Sequence, residues 1–267
     1  MEKFLSVAWR AARLAGGLIR EHWQQVKQVH YKSPIDLVTA TDRQAEEKIV
    51  DLLLKNFPDH SILAEEETAI VAPGSAYRWI IDPLDGTTNF AHSYPQFAVS
   101  IALEQEGEVV LGVVYDPMRE EGFSAIKGEG ALLNSEPISV SKVSELDKAL
   151  LATGFPYDHR ENVDFYLDFF RAFMKRSQGI RRAGAAALDL CYLACGRLDG
   201  FWELKLHPWD TAAGSLIVRE SGGTVTDFSG NPFSVSGEET LASNGLIHSE
   251  MLSALKEAKN VDGSDVG

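Results

Sequence analysis

The sequence is poor in cysteine, in long apolar runs and in positive charge, and each shortage excludes something. Its two cysteines, Cys191 and Cys195, cannot make the disulfide framework of a small secreted domain, so a reducing, cytoplasmic setting is expected. They stand four apart in an apolar run, the spacing of one helix face, where buried thiols are common. A membrane helix needs ~20 consecutive apolar residues. The longest runs here, residues 98–103 and 109–115, are far shorter. Arg10 and Arg13 interrupt any apolar region near the start, so no signal peptide is expected. Lysine and arginine total 25 against 39 aspartates and glutamates, a net charge of −14. Gripping nucleic-acid phosphates relies on the opposite balance. Neither a membrane nor a nucleic acid is therefore an expected partner. An acidic protein can still act on an anion where cations sit between the two.

What is present belongs to an ordinary globular chain. Hydrophobic residues make up 45% and charged residues 24%, which argues against disorder, collagen and coiled coil. With 267 residues, about three-quarters of the unfolded surface can be buried. Residues 4–22 read as an amphipathic helix, with Leu5, Ala8, Ala12, Ala15 and Ile19 spaced by threes and fours. Ser33-Pro34 breaks any helix. Thr41 opens a second helix to about Asn56, with Gln44 completing a capping-box pattern. Residues 62–64 and 78–81 look like buried strands. A hairpin is expected over 97–104 and 109–115, turning at Gly107, with more strand-like pieces to about Leu133. Then 150–153 reads as a strand, 163–177 and 185–195 as helices, and Gly196 as a helix stop. A strand at 201–203, a helix at 209–220, a strand at 240–243 and a last helix from Ile247 follow. The change of character near 140–150 suggests an N-terminal portion, 1–145, and a C-terminal portion, 146–260. Residues 261–267 read as a loose tail.

The most informative stretch is Trp79-Ile80-Ile81-Asp82-Pro83-Leu84-Asp85-Gly86-Thr87-Thr88-Asn89-Phe90. Pro83 fixes a backbone angle and donates no hydrogen bond. The chain is therefore expected to turn sharply after Asp82 and aim both carboxylates at one spot. Gly86 and Thr87 then offer backbone N–H groups where a helix begins, a setting that suits phosphate. Hard carboxylates beside an anion site suggest Mg²⁺. The stretch reads equally well as a buried strand and an Asp-Gly turn, with Asp85 as a helix cap. Glu65-Glu66-Glu67 ends another apolar strand, and three adjacent acids repel unless a cation or solvent relieves them; a solvated turn is the bland alternative. In His207-Pro208-Trp209-Asp210, Asp210 stands in a helix's first turn, where its dipole interaction alone is worth under ~1 kcal/mol. Cys191 and Arg197 match a Cys-x5-Arg spacing. Their helical setting lacks the phosphate-cradling loop that chemistry needs. Asp82-x-x-Asp85 is one residue too long for an Asp-x-Asp phosphatase.

Asp82-Pro-Leu-Asp-Gly-Thr-Thr-Asn-Phe, the upstream Glu65-Glu66, and Trp209-Asp210 resemble the inositol monophosphatase family. So do 36–42, Asp-Leu-Val-Thr-Ala-Thr-Asp, and Gly222-Gly223. The likeness covers about 4–258. It implies an α+β fold, a layered α/β/α/β/α sandwich shared with fructose-1,6-bisphosphatases, in a chain that forms homodimers. It also implies Mg²⁺-dependent, lithium-sensitive hydrolysis of phosphate monoesters, with two to three ions. Glu65, Asp82 and the Leu84 carbonyl would hold one ion, and Asp82, Asp85 and Asp210 a second. Glu65 with waters would hold a weaker third. Thr87, supported by Asp42, would orient the attacking water near Glu65. Gly86 and Thr87 would bind phosphate, while Asp85, Gly184, Ala186, Glu203 and Asp210 would contact the substrate. The family's Gly-Thr-Ala or Gly-Ser-Ala segment is here Gly184-Ala185-Ala186, without the hydroxyl. Lys32 receives no role, its spacing to Asp36 being one short. An amine or a sugar bisphosphate could replace a polyol phosphate as substrate, since Glu203 suits either an ammonium or hydroxyls. A rim acid paired with Lys205 or Arg197 is the bland reading of Glu203. Some bacterial relatives are thought to act on the transcription or RNA-processing machinery, so a regulatory binding role is a third expectation.

Overall fold

The computed structural model describes residues 1–23, 29–31, 37–66 and 68–261. Lys32, Asp36, Glu67 and residues 262–267 of the expected tail lie outside the described residues. Helix α1 (Glu2–His22) is followed by a short antiparallel pair, β1 (Val29–Tyr31) and β2 (Leu37–Thr39), and by α2 (Ala40–Asn56). Eight strands form the larger sheet: β3 (Ser61–Ala64), β4 (Ala69–Ile70), β5 (Tyr77–Asp85), β6 (Ala98–Gln105), β7 (Glu108–Asp116), β8 (Glu121–Ile126), β9 (Gly130–Leu133) and β10 (Glu136–Pro137). Their order across the sheet is β10-β9-β8-β7-β6-β5-β3-β4. A short helix, α3 (Thr87–Ala91), follows β5.

The second sheet contains β11 (Leu150–Thr153), β12 (Gly179–Arg181), β13 (Gly200–Leu204), β14 (Thr224–Thr226) and β15 (Glu239–Ser243), in the order β12-β11-β13-β15-β14. Between its strands run α4 (Val163–Met174), α5 (Ala186–Ala194) and α6 (Pro208–Glu220), and α7 (His248–Val261) closes the chain.

Three apolar clusters give the layers. Ala8, Ala12 and Ile19 of α1 and Ile49 and Leu53 of α2 pack on Trp79, Ile81, Ile101 and Val113 of the large sheet. The opposite face of that sheet, with Ile80, Ala102, Val114 and Phe123, meets α5 and α6. These two helices also cover Ala152, Phe201 and Ala242 of the small sheet. Its far face packs Leu151, Trp202 and Leu241 against Phe169 and Phe173 of α4 and Met251 and Leu255 of α7. The result is the expected α/β/α/β/α sandwich. The middle layer requires close approach: a Cβ on Gly112 of β7 would stand 2.8 Å from the Ala213 carbonyl oxygen of α6.

Two local expectations change. Helix α2 begins at Ala40, so Thr41 lies inside it, buried, with its hydroxyl 3.1 Å from His22 Nδ1. The chain does not turn sharply after Asp82. β5 continues through Pro83 to Asp85, and its pairing with β6 shifts register between Asp82 and Asp85. A bulge of this kind re-aims side chains without ending the strand. It also places Pro83, which has no N–H to give the ladder, where the ladder is already interrupted.

Candidate active site

Strand register brings the acids together. β3 and β5 are parallel, with Ala64 opposite Ile81. The next residues, Glu65 and Asp82, therefore leave the sheet side by side, as the Glu65 N–H bond to the Ile81 carbonyl, 3.2 Å, requires. Across the other edge of β5, Asp82 faces Ser100 of β6. The Ser100 hydroxyl donates to the Trp209 carbonyl, 3.2 Å. That contact seats the first turn of α6, and with it Asp210, beside Asp82. The bulge presents Asp85 to α5, whose Ala187 N–H donates to Asp85 Oδ2 at 2.8 Å. Asp82, Asp85 and Asp210 thus converge, with one carboxylate oxygen from each lying within 4.8 Å of the others. They come from two segments 125 residues apart.

Asp82 and Asp85 are buried. Burial is the main reason the Asp82 carboxyl is pushed well up from its ordinary range, with the charges of Glu65, Asp85 and Asp210 adding to it. Burial and Asp210 raise Asp85 to about 7, although N–H bonds from Ala187, Ala186 and Leu188 oppose the rise. Among the described residues, no lysine or arginine is ion-paired with Asp82, Asp85 or Asp210. Asp210 is also a helix cap: its Oδ2 accepts the His207 N–H at 2.6 Å. The His207 ring stacks on Trp209, centroids 4.9 Å apart.

The acids line a cavity of about 380 Å³. Gly86, Thr87, Gly184, Ala186 and Glu203 share its wall. Gly86 has φ 96°, and a Cβ there would stand 2.8 Å from the Gln96 carbonyl oxygen, so glycine is required at this turn. Thr87 Oγ1 donates to Asp42 Oδ1 (2.8 Å), with the Leu84 carbonyl 3.1 Å away. Asp42 itself is buried in α2 and is not part of the cavity wall. Asn89 ties the two sides together, its Nδ2 reaching the carbonyls of Gln96, Ala183 and Gly184 at 2.7, 2.9 and 3.1 Å. Ala185, where the family carries a hydroxyl, is the N-cap of α5 and makes no side-chain cap bond. The Asp85 carboxylate takes the Ala187 N–H of that first turn instead.

Glu203 is buried in β13 over Gly154, where a Cβ would collide with its carboxylate at 2.0 Å. Burial pushes its carboxyl well up, and Arg182 opposes that. The rim-pair reading fails, because Lys205 pairs with Asp158 and Arg197 with Glu121. Cys191 is buried, and burial raises its thiol well above the ordinary range. A low-pKa nucleophile is thereby excluded.

Several wall residues had no signal in the sequence. Arg182 is exposed and lies over the Phe155 ring, 5.9 Å from its centroid. Asp189 of α5 is not in the wall: it is buried behind it, its carboxyl pushed up by burial and by Asp85. Phe155, Pro156 and Tyr157 form an outer wall. Nothing in their spacing could have placed them beside 82–87, because most of the large sheet lies between them along the chain.

A layered sandwich that gathers carboxylates beside a glycine turn and a hydroxyl–carboxylate pair has the architecture of a phosphoric-ester hydrolase. The sequence model of the inositol monophosphatase family matches residues 1–260. The chain is 46% identical over 256 residues to inositol-1-monophosphatase of Synechocystis sp., covering 96% of this chain and 89% of that one. It is 49% identical over 237 residues to Nus factor SuhB of Pseudomonas aeruginosa, covering 86% and 88%. The solved inositol monophosphatase of Anabaena superposes with a TM-score of 0.88 at 42% identity, over 96% of both chains. The chain belongs to the inositol monophosphatase family and is a phosphatase.

Proposed function

We propose that this phosphatase is a Mg²⁺-dependent monoesterase acting on myo-inositol monophosphates and related small polyol phosphates. The observation that carries the reading is the convergence of Asp82, Asp85 and Asp210 in the wall of one cavity. Ionised carboxylates gathered there with no lysine or arginine paired to them are costly, and hard oxygen donors fit Mg²⁺. Glu65, Asp82 and the Leu84 carbonyl would hold one ion, and Asp82, Asp85 and Asp210 another, with Glu65 serving a weaker third. Bound there, the ions supply Lewis acidity that neutralises phosphate charge and acidifies water.

The chain's own groups do the positioning. The Thr87 proton is directed at Asp42 and the Leu84 carbonyl, so the Thr87 oxygen can accept a hydrogen bond from water and turn the water's lone pair toward phosphorus. Asp42 is placed to take a proton relayed through that hydroxyl. The Gly86 and Thr87 N–H groups would hold the phosphate oxygens. Glu203, Ala186 and Gly184 would contact the alcohol. Phosphoryl transfer asks mainly for this positioning and charge neutralisation.

Rates of phosphate release from inositol 1-phosphate, histidinol phosphate and fructose 1,6-bisphosphate at one Mg²⁺ concentration test the reading. A preference for either of the last two by more than about tenfold, 1.4 kcal/mol in barrier, replaces the polyol assignment. Glu203→Ala is expected to lower kcat/KM for polyol phosphates by at least tenfold more than for an aryl phosphate. Equal losses would make Glu203 a structural residue, consistent with its seat on Gly154. Lithium at millimolar concentration should inhibit, since it can replace a divalent ion without supplying its charge; dose–response at fixed Mg²⁺ checks this.

The relatives named Nus factor SuhB favour a second, additional reading, a regulatory contact with transcription or RNA-processing machinery. A net charge of −14 suits a basic protein partner better than nucleic acid. A homodimer in the cytoplasm is the setting both readings share.

A further inference from the structure

Glu46 has no place in the reaction described above, yet it is one of the most committed side chains near the site. It is buried on α2. One of its oxygens, Oε2, accepts the Glu66 N–H at 2.8 Å, while Oε1 accepts the Thr68 N–H at 2.9 Å and the Thr68 hydroxyl at 2.7 Å. An acid under an acidic loop is repulsive unless the loop supplies donors, and here Glu66 and Thr68 supply them.

The Glu66 N–H belongs to the peptide plane that joins Glu65 to Glu66. The preceding plane carries the Glu65 N–H, which is bonded to the Ile81 carbonyl at 3.2 Å. Glu65 is therefore pinned on both sides, by β5 next to Asp82 and by Glu46 of α2. Its side chain hydrogen-bonds that of Asp82. Asp42 and Glu46 lie four apart on α2, the spacing of one helix face. That face thus holds both elements of the attacking side: Asp42 holds Thr87, and Glu46 holds the Glu65 loop.

We propose that Glu46 is a positioning residue that fixes Glu65 against Asp82 and so sets the affinity of the cation these two carboxylates share. This rests on the Mg²⁺ reading above. A carboxylate is needed because both oxygens must accept. In Glu46→Gln the amide can offer its oxygen to only one group of donors. Its NH₂ then faces the Glu66 N–H or the Thr68 donors, and the Glu65 peptide plane must turn. Loss of one acceptor while the others persist is a local change, so the α1–α2 layer should survive it.

The experiment is a Mg²⁺ titration of the whole protein, read by thermal shift and, separately, by phosphate release. It compares wild type, Glu46→Gln and Thr68→Val. For Glu46→Gln the half-saturating Mg²⁺ is expected to rise at least tenfold in both readouts, with kcat at saturating Mg²⁺ within about threefold of wild type. Thr68→Val removes the hydroxyl donor and leaves the carboxylate, so it should raise the half-saturating Mg²⁺ by a smaller factor. It also keeps the question open if Glu46→Gln does not fold. A wild-type half-saturation unchanged in both variants, with only a lower metal-free melting temperature, makes Glu46 a purely structural residue and overturns the proposal. A wild type with no Mg²⁺ response in either readout overturns the Mg²⁺ reading itself, and is thereby told apart from a failure of the clamp.

Discussion

Asp85→Asn should abolish hydrolysis, by at least a thousandfold in kcat/KM, while circular dichroism and the melting profile stay native. On the proposed reading, Asp85 stands where metal, substrate and helix meet. It converges with Asp82 and Asp210 and accepts the Ala187 N–H at the start of α5. Asparagine keeps an oxygen for that N–H, so the fold has little reason to change. It removes a charge, and charge neutralisation is what holds a divalent ion beside a phosphate dianion. A thousandfold loss is about 4 kcal/mol of barrier at 1.36 kcal/mol per tenfold, a reasonable share for one ligand. Activity within tenfold of wild type would remove Asp85 from the site.

The second large effect is on stability. The free protein gathers Glu65, Asp82, Asp85 and Asp210, and on the proposed reading a cation relieves their repulsion in the native state alone. Binding at a hundredfold excess over Kd contributes about 2.7 kcal/mol. At ~2–4 °C per kcal/mol for a chain of this size, Mg²⁺ should raise the melting temperature by about 5–10 °C. Asp82→Asn removes a repelling charge and a ligand together. Its Leu84 N–H bond, 2.9 Å, can be kept by the amide oxygen. The variant should melt at or above wild type in EDTA and gain much less from Mg²⁺. An undiminished gain would place the ions elsewhere on this acidic surface.

The same cluster gives the metal-free protein a pH dependence of definite sign. The Asp85 carboxyl sits at about 7 in the fold, above the ordinary carboxylate value it has when unfolded, about 3.9. The native state therefore binds the proton more tightly. Its stabilising contribution is complete below about pH 4 and is lost as pH rises through about 7. Melts in EDTA should fall in temperature between pH 5 and 8, and Mg²⁺ should flatten that slope. A melting temperature that rises over this interval contradicts a repelling cluster.

How much of this was legible beforehand follows the range of the interactions. The 79–90 motif, the β6–β7 hairpin and helices α1, α2, α5 and α6 are written in local patterns. They fell within a few residues of their expected places. Strands β4, β10, β12 and β14 have two or three residues each, too few for an alternation to show. They exist because longer strands offer them an edge. Asp82, Asp85 and Asp210 were legible as a set only through the family resemblance, since spacing alone left each with a bland reading. Glu46 was not legible at all. Four residues past Asp42 on a charged helix, it looks like a solvated acid until Glu66 and Thr68 donate to it. Arg182 and Phe155 face the cavity for the same reason, a packing of layers that no local pattern encodes. The sequence predicts a turn after Asp82 because proline commonly ends a strand; in the fold it occupies a gap in the ladder of a strand that continues.

The most direct measurement is phosphate release from inositol 1-phosphate by EDTA-stripped protein, titrated with Mg²⁺. The account predicts no release above background in EDTA and full recovery on adding Mg²⁺, with Asp85→Asn silent throughout. A wild type that turns over equally fast in EDTA and in Mg²⁺ would contradict it.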